Sequence, residues 1–118
     1  MKRLLSIALV IVLMAVTLAG CSGGSSSGHE IILITDKGNI DDKSFNQGSW
    51  EGVVEFAERE GISHTYIKPE DASDDGYLQA IDLAVQGGAK VIVTPGFLFE
   101  VPVYEAQQKY PDVKFILL

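Results

Sequence analysis

The sequence predicts an α/β fold, a parallel sheet with helices on both faces, and three observations support that prediction. Apolar runs of strand length occur at residues 30–35 (EIILIT), 63–67 (SHTYI), 90–94 (KVIVT) and 113–118 (VKFILL). Segments of helical periodicity lie between them, and Gly, Pro and Asp residues mark each change of period. Strands separated by helical segments of roughly 10 to 15 residues form βαβ units, whose strands must be parallel.

The elements follow in order. Residues 30–35 are almost continuously apolar up to Asp36 and Gly38, as expected of a strand buried on both faces. From Ser44 the period changes. Trp50, Val53, Val54 and Ala57 form one stripe, while Glu51, Glu55, Glu58 and Arg59 fall on the other side. Ser44 and Gln47 fit a capping box at the start of this helix, and Gly61 fits its C-terminal stop. Residues 63–67 are a short second strand. The second helix, residues 74–86, carries Leu78, Ile81 and Val85 on its inner face and ends at Gly87 and Gly88. The third strand stops at Pro95 and Gly96. A third helix spans residues 101–110, with Pro102 tolerated in its first turn and Pro111 closing it, and leads into the fourth strand.

Sheets of this kind bind ligands outside the carboxyl ends of their strands, where strand order reverses. An order 2-1-3-4 places that crevice between strands one and three. The loops that meet there are residues 36–43 and 95–99, with the unpaired N–H groups at the start of the first helix beside them.

The N-terminus has a different character. Lys2 and Arg3 precede an apolar run over residues 4–16, and Leu18-Ala19-Gly20 leads into the single cysteine, Cys21. That is the layout of a secretory signal; the run is interrupted by Ser6 and Thr17 and is shorter than the roughly 20 apolar residues of a membrane span. Leu-Ala-Gly-Cys resembles a bacterial lipobox, in which the cysteine sulfur receives a diacylglyceryl group and becomes the first mature residue. Acyl chains gain about 0.8 kcal/mol per buried methylene, so two or more hold a protein stably on a membrane. The expected division is a signal peptide at 1–20, an anchor cysteine with a Ser/Gly-rich tether at 21–28, and a folded unit at 29–118. The apolar run at 113–118 further suggests that this unit is the first part of a longer domain.

Without Lys2 and Arg3, seven cations face sixteen acids, a balance of −9. Nucleic acid is therefore not an expected partner, because phosphate binding needs clustered cations.

Residues 35–52 (TDKGNIDDKSFNQGSWEG) concentrate the polar chemistry. Asp36, Asn39, Asp41 and Asp42 offer oxygen ligands, but Lys37, Gly38 and Lys43 break the spacing of a calcium loop, so no metal is expected. Asp41 and Asp42 suit the positive end of the first helix. No catalytic role is expected either: there is no G-x-S-x-G, Walker or G-x-G-x-x-G pattern, and His29 and His64 lie away from the binding edge. No cofactor is implied. Binding of an organic molecule suits the residue types better. Phe45 opens a helix where a core stripe has barely begun, Asn46 can both donate and accept hydrogen bonds, and Asp36 can accept from paired hydroxyls. On the residues alone, Phe45 as core with Asp36 and Asn46 as turn formers stands as an equal alternative.

The run from Ile34 through Asp36, the Asp41-Asp42-Lys43-Ser44-Phe45-Asn46 core and Gly52 resembles the basic membrane protein family of bacterial lipoproteins, substrate-binding proteins of ABC transporters. The lipobox, the tether, the order of elements and the Pro95-Gly96-Phe97 turn fit the same family. The resemblance implies two α/β lobes of the type I periplasmic-binding-protein fold, of which this chain holds most of the first sheet. It implies that Phe45 stacks on a purine, Asn46 bonds the base and Asp36 contacts the ribose, with Gly96 and Phe97 as further contacts. It also implies a purine nucleoside ligand, an ABC transporter permease as partner, an extracytoplasmic lipid anchor and no covalent chemistry. A sensory lipoprotein, or a sugar- or autoinducer-type binding protein of the same fold, is the alternative. Many members have Gly-Gly where this sequence has Gly38-Asn39; asparagine is expected to keep the left-handed turn.

Overall fold

A computed structural model describes residues 28–118. The expected signal peptide, Cys21 and nearly all of the tether lie outside them. Four strands, β1 (Ile31–Ile34), β2 (His64–Ile67), β3 (Val91–Thr94) and β4 (Lys114–Leu117), alternate with three helices, α1 (Phe45–Glu60), α2 (Asp74–Gln86) and α3 (Glu100–Lys109). All strand pairs are parallel and the sheet order is β2-β1-β3-β4. The order therefore reverses between β1 and β3, as expected. Ile31 stands opposite both His64 and Val91, which aligns the carboxyl ends of the three strands.

All four residues of β1 are buried, and they divide by strand period between the two faces. Ile32 and Ile34 join Ile92 against Tyr77, Ala80, Ile81 and Ala84 of α2 and Val103 and Ala106 of α3. Ile31 and Leu33 join Val93 against Val53 and Ala57 of α1. Complete burial of a side chain such as Leu33 contributes about 1.5–3 kcal/mol, which explains the unbroken apolar run in β1. Right-handed crossovers dictate this division: the step from β1 to β2 runs one way across the sheet, and the steps to β3 and β4 run the other.

Several local expectations change. The buried stripe of α2 is Tyr77, Ala80, Ile81 and Ala84, while Leu78 and Val85 pack on its flank. Small alanines at the centre of the stripe let the helix axis lie close to the sheet. The loop before α3 contains a turn of 3-10 helix, Phe97–Phe99, which buries Phe99. The fourth strand is not buried as its apolar run suggested. Ile116 is exposed because nothing among the described residues covers its face of β4, and Leu117, on the α3 face at the end of this edge strand, is exposed as well. Among the described residues, no helix is long and apolar enough to cross a membrane.

Candidate binding edge at the strand reversal

The site begins where β1 ends. The Thr35 N–H donates to the Ile67 carbonyl at 3.0 Å, the last rung of the β1–β2 pairing, and Asp36 then turns out of the sheet. Oδ1 of Asp36 accepts from the Gly38 N–H at 2.9 Å and from Nδ2 of Asn46 at 2.8 Å. The Asp36 N–H donates in return to Oδ1 of Asn46 at 3.3 Å. The second amide hydrogen of Asn46 goes to Oδ2 of Asp42 at 2.9 Å. Asp42 completes the chain: its Oδ1 accepts from the backbone N–H groups of Ser44 at 2.8 Å and Gln47 at 3.3 Å. Strand end, amide, carboxylate and helix start are thus tied in one network around Asn46, which is 4% exposed.

This network alters three expectations. Ser44 makes no capping bond through its side chain, and Gln47 accepts instead from the Lys43 N–H at 2.9 Å. Asp42 caps α1, two residues upstream of the expected position. The Asn46 amide bond, opposed by desolvation and joined by the N–H groups of Ser44, Gln47 and Asn46, holds the Asp42 carboxyl below its ordinary pKa. The helix start is therefore already occupied by an anion. Left-handed backbone falls not on Asn39 but on Lys43, with φ 53°. Gly38 is needed for space rather than for φ: a Cβ there would collide with Nδ2 of Asn46 and lie 2.6 Å from Oδ2 of Asp42. Asn39 turns outward, where its Oδ1 accepts from Lys68 Nζ.

Other groups face away from the network. Oδ2 of Asp36 receives no hydrogen bond among the described residues. Across the reversal, Gly96 adopts φ 110°, and a Cβ on it would lie 3.4 Å from that oxygen. Gly96 therefore combines a backbone angle that side chains avoid with close approach to Asp36. Its N–H donates to the Leu118 carbonyl at 3.0 Å, which ties the loop after β3 to the end of β4. Phe45, at the first residue of α1, is 53% exposed, and Phe97 is 77% exposed. Phe45 borders a shallow pocket with Ser49 and Leu118 and is not packed in the core.

The structure thus brings Asp36, Asn46 and Gly96 into contact or close approach, with Phe45 adjoining Asn46 in the chain and Phe97 adjoining Gly96. Asn46 faces inward: a bond from its amide to a ligand would replace one it now donates to Asp36 or Asp42. Asp42 stands at the helix start as its place in the sequence suggested, but its bond to Asn46 was not read from the sequence. Tyr77 was missed altogether; its i, i+3, i+4, i+7 spacing with Ala80, Ile81 and Ala84 could have marked it as part of the inner stripe of α2. His64 packs against Trp50 on the outer strand, with ring centroids 5.6 Å apart. Among the described residues, no three His, Cys, Asp or Glu side chains are grouped to hold a metal ion.

An acceptor oxygen open on one side, exposed aromatic rings and a helix start filled by its own carboxylate suit a neutral organic ligand with donor groups. The Bmp family, described as ABC transporter substrate-binding protein PnrA-like, matches residues 29–118. The chain belongs to this family. Similar Bmp relatives include the ABC transporter nucleoside-binding protein BmpA of Lactococcus lactis subsp. cremoris, 26% identical over 129 residues that cover 99% of this chain and 36% of that protein. An uncharacterized lipoprotein of Pyrococcus horikoshii is 29% identical over 126 residues, covering 100% of this chain and 31% of the relative. Among solved structures, that of ABC transporter system solute-binding proteins from Aeropyrum pernix K1 superposes with a TM-score of 0.66 at 28% identity, over 75% of this chain and 24% of that one. The chain spans about a third of the length of the curated relatives it matches. The Bmp fold and family expected from residues 34–52 are thereby shown, and Bmp proteins are substrate-binding components of ABC transporters.

Proposed function

We propose that this protein captures purine nucleosides outside the cytoplasm and delivers them to an ABC transporter permease, held to the membrane by lipid on Cys21 and performing no covalent chemistry. Residues 29–118 supply one wall of the cleft, as the N-terminal lobe of the binding domain. Phe45 stacks on the purine, and the open oxygen of Asp36 accepts from a ribose hydroxyl. Asn46 joins the base by exchanging one of its internal bonds, and Gly96 and Phe97 border the ligand across the reversal. The observation that carries this reading is the one-sided bonding of Asp36. Its Oδ1 is fixed by Gly38 and Asn46, while its Oδ2 is left open beside Gly96. A carboxylate held in that way is preorganised to accept hydrogen bonds from a ligand. The filled helix start further favours an uncharged nucleoside over a nucleotide, because a phosphate would meet the carboxylates of Asp42 and Asp36. The nucleoside-binding name of the Lactococcus relative agrees with this reading.

Titration calorimetry on the full-length, unlipidated protein tests it, with inosine, guanosine, adenosine, ribose and inosine monophosphate as titrants. Nucleosides are expected to bind more tightly than either ribose or the monophosphate. Binding of ribose with no response to any nucleoside would overturn the stacking role of Phe45. Release of free base from inosine would overturn the absence of covalent chemistry.

A further inference from the structure

Two buried side-chain polar atoms lack a hydrogen-bond partner among the described residues: Oγ1 of Thr35 and the phenolic oxygen of Tyr77. Both belong to the binding end of the sheet. Thr35, fully buried, immediately precedes Asp36. Tyr77 lies in the first turn of α2, is 1% exposed, and packs its ring on Phe99 with centroids 4.4 Å apart, in the turn that follows Gly96. Burial raises its phenol pKa, and the carboxylates of Asp36, Asp74 and Asp71 are near enough to raise it further, so the hydroxyl keeps its proton and remains a donor. Native interiors leave few polar groups unpaired, and a phenylalanine would fill the same space without burying a hydroxyl. Packing therefore does not account for the hydroxyl.

Resting on the reading that Asp36 contacts the ligand, we propose that Tyr77 is a positioning residue for capture: on the α2 face of the sheet, beneath the Asp36 edge, its hydroxyl completes a hydrogen bond to the open side of that carboxylate only when a ligand is held. The bond orients Oδ2 toward the ligand's hydroxyl. It follows that the Tyr77 hydroxyl contributes to affinity and not to the stability of the free protein.

The test compares full-length wild type, Tyr77→Phe, Asp36→Asn and the double variant by calorimetry with inosine, guanosine and ribose, and by thermal unfolding without ligand. Tyr77→Phe is expected to weaken nucleoside binding about fivefold or more while the free protein melts no lower than wild type. The loss should shrink in the Asp36→Asn background, since the hydroxyl acts through that carboxylate. Unchanged affinity, losses that simply add, or a lower melting temperature of free Tyr77→Phe would each overturn the proposal. A wild type that takes ribose but neither nucleoside would sink the nucleoside reading alone, and the ribose isotherms would then judge Tyr77 by the same criteria.

Discussion

Asn46 and Phe45 are neighbours with opposite duties. Asn46 is buried with both amide hydrogens donated, to Asp36 and Asp42, whereas the Phe45 ring faces solvent. Asn46→Ala would leave two carboxylates and the Asp36 N–H without their partner, at a cost of about 1–3 kcal/mol in urea unfolding of the full-length protein. Phe45→Ala removes little packing, so its melting temperature should stay near that of wild type. Its nucleoside affinity should fall roughly tenfold, because a stacked aromatic is worth about 1–3 kcal/mol per base. A large loss of stability in Phe45→Ala would support the core role that the residues alone left open. Gly38→Ala forces a Cβ into the Asn46 amide and should behave like Asn46→Ala in the same unfolding measurement. Chemistry at this scale was only partly legible in the sequence. Asp36 and Phe45 stood out by type and position. The inward duty of Asn46 and the unpaired hydroxyl of Tyr77 depend on which groups the tertiary fold brings near, and no local pattern encodes that.

The start of α1 had two expected contributors, a Ser44 capping bond and the acids just ahead of it, and only the second is used. Ser-x-x-Gln fits a capping box, yet the turn at Lys43 swings the Asp42 carboxylate over the first N–H groups instead. Because folding lowers the Asp42 pKa, its contribution is fully present above the ordinary value of 3.8 and is lost as pH falls through the lower folded value. Protection of the Ser44 and Gln47 amides, taken relative to intrinsic exchange at each pH, should therefore fall in acid, and Asp42→Asn should abolish that pH step. A second carboxyl links α2 to α3. Asp82 accepts from Lys109 Nζ at 2.9 Å and from the Tyr110 hydroxyl at 2.8 Å; burial raises its pKa, but these bonds outweigh burial and hold it low. The same bond from Lys109 to Asp82 raises the lysine pKa above 10.5, so this link is lost below the Asp82 range in acid and as pH rises through the folded lysine value in base. Element types and order were readable because strand and helix periods alternate cleanly. The inner stripe of α2 was read off-centre: Ile81 lies in it as expected, but Ala80 and Ala84 carry little hydrophobic weight, while Leu78 and Val85 at its flank carry much.

At the level of the whole sheet, α1 is the one helix among the described residues that covers the face opposite α2 and α3, and it lies over the β1 half. Over β3 and β4 that face is an open apolar groove of about 470 Å³, lined by Val53 and Phe56 of α1, Val93, Ile116 and Leu118. Contiguous exposed apolar surface of this kind drives association. Residues 29–118 expressed alone should self-associate as concentration rises in sedimentation velocity, and Ile116→Lys should suppress it; a monomer at all concentrations would contradict this. The parallel sheet followed from the alternation of elements, whereas the order 2-1-3-4 entered as a condition that the fold meets, and with it the candidate edge falls between β1 and β3. The bare groove was not legible, because an apolar strand reads the same whether or not something covers it.

The proposed binding mode puts a purine nucleoside at the β1–β3 reversal, between Phe45 and Asp36. A crystal structure of the full-length protein grown with guanosine tests this most directly. The expected density has the purine stacked on the Phe45 ring and a ribose hydroxyl donating to Oδ2 of Asp36, with the Tyr77 hydroxyl within hydrogen-bond reach of the same carboxylate. Guanosine bound away from this edge, or a Phe45 ring packed into the protein core with no ligand against it, would contradict it.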